Sequence, residues 1–218
     1  MSSFDIGYNA LMESEKTNQP EPKLEEATQN KTFVKKVLSA LEFVITVAIM
    51  VSIILMFGLQ SYRVEGHSMV PTLQQDDRLI VSKIGRTWSR INRNDYIPDR
   101  GEIIVFNSPL ENNIRIIKRV IGLPGERVVI ENGKYVVYNK ENPQGFEPDN
   151  IYDKEHRFKF TTGSTDTKVP KGEVFVGGDN RTFGGSQDSR NDLGTIPAEN
   201  IIGKLILRVS PVTEAQTF

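Results

Sequence analysis

A serine hydroxyl becomes a nucleophile only beside a group that can take its proton, and this chain offers few such groups. Its 218 residues include no cysteine and only two histidines, His67 and His156. Disulfides and thiolate metal sites are excluded, a histidine-rich metal site is nearly so, and a Ser-His-Asp triad would depend on one of two imidazoles. The serine of interest lies in GHSMVPTL (66–73), where Ser68 follows closely on an apolar run, LEFVITVAIMVSIILMFGL. His67 is badly placed to serve it, because adjacent side chains on an extended strand face opposite ways. Lys118 is another candidate. Read as a strand, IRIIKRVIG (114–122) turns Lys118 to the face of Ile116 and Val120, and Arg115 and Arg119 to the other. Desolvation on an apolar face lowers an amine from its usual pKa of about 10.4, and a neutral amine can accept a serine proton. The same pattern fits a lysine whose long stem carries its ammonium out to water. The strand alone leaves both readings open.

These residues must be positioned by the elements around them. Residues 1–36 are polar, rich in Glu, Lys, Asn and Gln, and carry no sustained apolar period, which predicts a disordered cytoplasmic tail. Residues 37–59 are apolar apart from Ser39, Glu42, Thr46, Ser52 and Gly58, about the length of a single transmembrane helix. A cleaved secretory signal fits poorly, since the run begins far from Met1, is too long, and has no small-x-small site before Arg63. Lys23, Lys31, Lys35 and Lys36 precede the span, against Arg63 and Arg78 soon after it. That asymmetry predicts a single-pass plasma-membrane protein with its amino terminus in the cytoplasm and the rest outside. A formal net charge of −1 predicts no nucleic-acid partner.

From residue 60 to 218 the sequence reads as one mostly β domain. Short β-patterned runs recur: RLIVSKI, EIIVFN, IRIIKRVIG, ERVVIENGKYVVYN, EVFVGG and IIGKLILRV. Asn132-Gly133 suits a type I′ hairpin turn, and Pro124-Gly125 the centre of a type II turn. Residues 139–168 are polar and turn-rich, like a surface excursion, and no long helical period follows residue 60. In the loop from Lys83 to Arg100, Arg86, Arg90, Arg93 and Arg100 surround Trp88, the only tryptophan. This composition suits either a lipid headgroup layer or a solvated loop with its indole packed on the domain edge.

Four segments in order add to this reading: SMVPTL (68–73), RGEIIVF (100–106), IIKRVIGLPGE (116–126) and GGDNRTFGGSQDSR (177–190). Behind a membrane anchor, this set resembles the bacterial type I signal peptidases, from about Tyr62 to Lys204. The resemblance implies an antiparallel β-sheet catalytic domain with a small variable β-excursion at 139–168, preceded by one transmembrane helix. It implies a serine endopeptidase that removes signal peptides from exported preproteins at small-x-small sites, with Ser68 as nucleophile, Lys118 as general base, an acyl-enzyme, and no metal or cofactor. Val64, Met69, Leu79, Ile116 and Ile117 would line the substrate cleft. Ser186 would hydrogen-bond the lysine, Asp188 and Arg190 would form a supporting ion pair, and Asp179, Asn180 and Arg181 would hold the loop.

The chain departs from the family pattern twice. Gly66 stands where some members have a serine that assists the oxyanion hole, which leaves mainly the Ser68 N–H for that task. Thr182, Phe183, Gly184 and Gly185 make the spacing from Arg181 to Ser186 longer than usual. Two rival readings are another Ser-Lys processing peptidase and an inactive anchored β-domain that binds exported or envelope proteins. The intact Ser68/Lys118 pair argues against the second.

Overall fold

The computed structural model describes residues 22–153, 157–158, 160–210 and 215–218. His156 lies outside them. The chain divides between Val51 and Ser52 into two compact units.

The described residues of the first unit are helical. Helix α1 runs Pro22–Phe57, longer at its start than the expected span and two residues shorter at its end. Of the tail expected to be disordered (1–36), residues 22–36 are helical, and residues 1–21 lie outside the described residues. Pro22 suits a first helical turn, the next residues include good helix formers, and no further Gly or Pro occurs before Gly58. Within α1, residues 31–54 are long and apolar enough to cross a membrane, 24 residues of which none in the apolar window is buried. At 1.5 Å per residue that is about 36 Å, enough for the hydrocarbon core.

The second unit is a β domain. Its strands are β1 (Leu59–Arg63), β2 (Arg78–Ser82), β3 (Ile103–Asn107), β4 (Arg115–Gly122), β5 (Arg127–Glu131), β6 (Lys134–Tyr138), β7 (Asp166–Lys168), β8 (Glu173–Gly177), β9 (Ile196–Pro197), β10 (Ile201–Ser210) and β11 (Gln216–Thr217). Every pairing among the described residues is antiparallel. The larger sheet runs β1-β2-β10-β3-β4-β8-β9, with β11 also on β10; β6-β5-β7 forms a smaller one. The hairpin and turn expectations hold. Asn132 and Gly133 have φ of 50° and 74° between paired Glu131 and Lys134, and Glu126 N–H donates to Leu123 O across Pro124-Gly125. The sequence missed helix α2 (Ile84–Ile91), which occupies the arginine-rich loop. It also missed α3 (Asp149–Tyr152).

Alternation along β3 and β4 divides the core. Ile104, Phe106 and Val120 meet Val174, Val176 and Ile201 on one face, while Ile103 packs with Val64, Met69, Leu73, Leu79 and Leu205 on the other. A third cluster, Ile121, Val128, Tyr135, Val137, Val169 and Phe175, joins the small sheet to the large one. The stretch 139–168 is more than a surface loop. Asp149 makes a two-point ion pair with buried Arg181 at 2.8 Å, and Phe158 lies 4.6 Å from the same guanidinium. Tyr152 covers Arg119 at 4.8 Å.

Candidate active site

Ser68 sits in the connection from β1 to β2, and that connection is pinned at several points. Val64 N–H donates to Asp77 O and Asp76 N–H to Val64 O, closing its base, and Leu73 N–H donates to Met69 O in a single helical turn. Met69 and Leu73 plug the core below. From across the domain, Asn180 donates from its backbone N–H to Ser68 O at 3.0 Å and from Nδ2 to His67 O at 3.2 Å. The GGDNR segment therefore grips the backbone that carries the serine.

Lys118 lies mid-strand in β4, paired with Ile104 of β3, and is 4% exposed. Its Nζ is 2.7 Å from Ser68 Oγ and 3.0 Å from Ile117 O. The stem does not reach solvent. Burial lowers the amine's pKa from 10.5 to about 8; Asp188 and Asp179 pull the other way, and Arg190 adds to the lowering. The amine and the hydroxyl are thus in contact, and burial makes the neutral amine easier to reach than in water.

Behind them stands the loop after β8. Asp188, fully buried, accepts from Gly178 N–H at 2.8 Å and makes a two-point ion pair with Arg190, also at 2.8 Å. Burial would raise the Asp188 pKa, but the Arg190 bond and charge, with the Gly178 N–H, hold it below the ordinary value. Ser186 departs from expectation. Its buried hydroxyl makes no hydrogen bond to Lys118, nor one of ordinary geometry to any described residue, though it lies near enough to Asp188 to help lower that carboxyl.

A cleft of about 680 Å³ opens over the pair, with Val64, Leu79, Val105, Ile116 and Ile117 among its apolar walls and Ser68 and Lys118 in its lining. Met69 is a correction: it is absent from the lining and lies 1% exposed beneath it, packed against Val64 and Leu79. Ser68 is half-buried in a turn, and Met69 opens the helical turn closed by Leu73, which sends its side chain into the core. The Ser68 N–H makes no hydrogen bond among the described residues, while Gly66 N–H is taken by Gln75 Oε1 at 2.6 Å. Among the described residues, no group of three or more His, Asp or Glu side chains is arranged to hold a metal ion.

The family model for "Signal peptidase, peptidase S26" matches residues 23–210. The chain belongs to this family. It is similar to signal peptidase I T of Bacillus subtilis (strain 168), 35% identical over 177 residues that cover 79% of this chain and 86% of that one. It is similar too to signal peptidase I of Rickettsia bellii (strain OSU 85-389), 33% identical with 82% and 74% covered. A crystal structure of a signal peptidase I from Enterococcus faecalis V583 is 30% identical, covering 50% of this chain and 97% of that chain at a TM-score of 0.39. The chain is thus a signal peptidase I-type serine endopeptidase.

Two positions that shape the candidate site carry no motif signal of their own. Arg119 is 5% exposed and paired with Asp179, where alternation had only turned it away from Lys118. A buried arginine inside an apolar strand needs a carboxylate partner, and GGDNR held one. Gly178 is the other. A Cβ there would lie 2.2 Å from Ser186 Oγ and 2.5 Å from Ser68 O, so its backbone passes between the two serines.

Proposed function

We propose that this chain removes signal peptides from exported preproteins at small-x-small sites, through an acyl-enzyme on Ser68 with Lys118 as general base. The observation that carries the reading is the 2.7 Å separation of Lys118 Nζ and Ser68 Oγ at an amine with a pKa of about 8. Neutral Lys118 takes the hydroxyl proton as Ser68 Oγ bonds to the carbonyl carbon of the residue before the cut. The oxyanion is met by the free Ser68 N–H. The lysine ammonium then protonates the departing amine, and the signal peptide is left as an ester on Ser68. In the second half Lys118 takes a proton from water, which attacks the ester, and returns one to Ser68 Oγ.

The sheet supports a place for an extended substrate. Residues 115–118 of β4 pair with β3 on one side, while β8 begins to pair only at Arg119. Strand β1 pairs with β2 alone. The cleft is lined from both strands, so a substrate can add main-chain bonds there. Its shallow aliphatic walls favour small side chains. Ser68 is the ninth residue after Leu59, which tethers the nucleophile within about 30 Å of the apolar run at about 3.3 Å per residue. We place the amino terminus in the cytoplasm and the β domain outside, where it meets preproteins held in the same membrane.

The test is incubation of the detergent-solubilised full chain with a preprotein carrying an Ala-x-Ala site. Wild type should cut once, after the second alanine, and Ser68→Ala and Lys118→Ala should give no product. Substantial turnover by folded Lys118→Ala would remove the dyad. Protease added to intact cells should digest the β domain and spare a tag on Met1; the opposite result would reverse the topology.

A further inference from the structure

Helix α2 is amphipathic the wrong way round for a soluble domain. A surface helix ordinarily turns its apolar stripe to the core. Here Ile84, Trp88 and Ile91, spaced as one stripe, are 58%, 67% and 68% exposed. The opposite side is the one seated on the domain. Gly85 packs so tightly on Tyr96 that a Cβ would lie 2.5 Å from its ring, and Arg86 Nη2 donates to Glu199 O at 3.1 Å. Three large apolar side chains are therefore held outward by polar contacts behind them.

What surrounds the stripe selects its partner. Arg90 and Arg93 are exposed and form no ion pair among the described residues; the nearby carboxylates are Asp95 and Glu199, which share a small recess with Arg86 and Arg90. Lys83 N–H donates to Gly58 O at 2.8 Å, and Ile84 Cγ1 is 3.6 Å from where a Gly58 Cβ would be. Gly58 directly follows the end of α1, so the stripe starts beside the residue at which the apolar run gives way to the β domain. A membrane surface has an apolar layer under anionic phosphates, with an interface where indoles partition. We infer that the Ile84/Trp88/Ile91 face of α2 lies in the headgroup layer of the bilayer, with Arg90 and Arg93 on lipid phosphates. This inference rests on the proposed membrane anchorage. It gives the domain a second attachment, which restricts how the cleft faces the bilayer.

Trp88 is the only tryptophan, so its fluorescence reports this face alone. The full chain is reconstituted in phosphatidylcholine vesicles with and without phosphatidylglycerol, using acyl chains either plain or brominated near the headgroup. Anchorage is read separately, by resistance to alkaline extraction, and the peptidase reading by cleavage of a soluble peptide. The expected result is that brominated acyl chains reduce Trp88 emission by about half, that iodide in the water quenches it weakly, and that phosphatidylglycerol strengthens both effects. Arg90→Glu with Arg93→Glu should remove the phosphatidylglycerol increment, and Ile84→Gln with Ile91→Gln the bromine quenching, while both variants cleave soluble peptide like wild type. An anchored protein whose Trp88 is quenched freely by iodide and not by bromine would overturn the inference. So would shielding from iodide without bromine quenching, which would mean that a second copy or another protein covers the face.

Discussion

Arg119 and Asp179 form a two-point ion pair almost out of reach of water. Nε–Oδ1 is 2.9 Å, Nη2–Oδ2 is 2.6 Å, and the side chains are 6% and 0% exposed. Arg119 follows the lysine in β4 and Asp179 precedes Asn180, which grips the serine's backbone. The pair therefore ties the strand that carries Lys118 to the loop that holds the Ser68 backbone. Removing one partner leaves an uncompensated buried charge, so Asp179→Ala should lose about 3–5 kcal/mol of stability. Arg119→Met combined with Asp179→Leu should lose less than the two single changes added together. Denaturant midpoints of the four proteins measure this, and strict additivity would contradict the pairing.

Activity should have an acidic limb set by the amine. With a pKa of about 8, Lys118 is roughly one-tenth neutral at pH 7, so the turnover constant should rise tenfold per unit below pH 8 and then level off. Asp179 raises this pKa, so Asp179→Asn should move the limb to lower pH. A limb near 10.4, the free-lysine value, would mean a solvated amine. Lys118→Arg should be inactive at every pH, because a guanidinium keeps its proton.

Gly178→Ala should nearly abolish turnover while the protein stays folded. The added methyl meets Ser186 Oγ and the Ser68 carbonyl, and the second is backbone that cannot swing aside. Ser186→Ala removes the Oγ but leaves a Cβ 2.5 Å from the added methyl, so it should restore little. Full recovery of kcat in that double variant would show that the Ser68 carbonyl yields freely.

The buried lysine should cost stability where it gives activity. Its folded pKa is below the unfolded value, so between about pH 8 and 10.5 the unfolded chain holds a proton that the native state has lost, and stability rises with pH there. Below that window the full penalty stands, about 3 kcal/mol at about 1.4 kcal/mol per unit. Lys118→Met should thus melt higher than wild type at pH 7, and the gap should close by pH 10.5. Thermal denaturation across that range measures it. Equal melting at pH 7 would mean that the native amine is not desolvated.

Much of this site could be read from residue order because the signal was local. Period-two alternation turned Lys118 inward with Ile116 and Val120, and the motif residues flank β4 and β8, whose limits follow from runs of branched apolar residues. Two-residue turns were legible because Asn132-Gly133 and Pro124-Gly125 have few other uses. What escaped was fixed at long range. Arg119 meets a carboxylate sixty residues away, as the bond separation requires. Helix α2 escaped because IGRTWSRI has its apolar stripe at helical spacing but too few turns to stand out from a loop. Ser186 was placed by motif position, which fixes a residue's neighbourhood but not the direction of its hydroxyl.

The ion pair of Asp149 with Arg181, and Tyr152 lying over Arg119, have a consequence for exchanging parts between relatives. Residues 139–168 look like a cassette, since they leave the domain after β6 and return to the small sheet only at their end, in β7. Yet they supply the counter-charge for one buried guanidinium and a covering ring for another, both within reach of the catalytic loop. A chimaera that imports another excursion, or trims this one to a tight turn, inherits two arginines cut off from what they were matched to. Such grafts will work only when the donor carries an acid and an aromatic at the equivalent depth, so the excursion and the two arginines it serves have to be exchanged together.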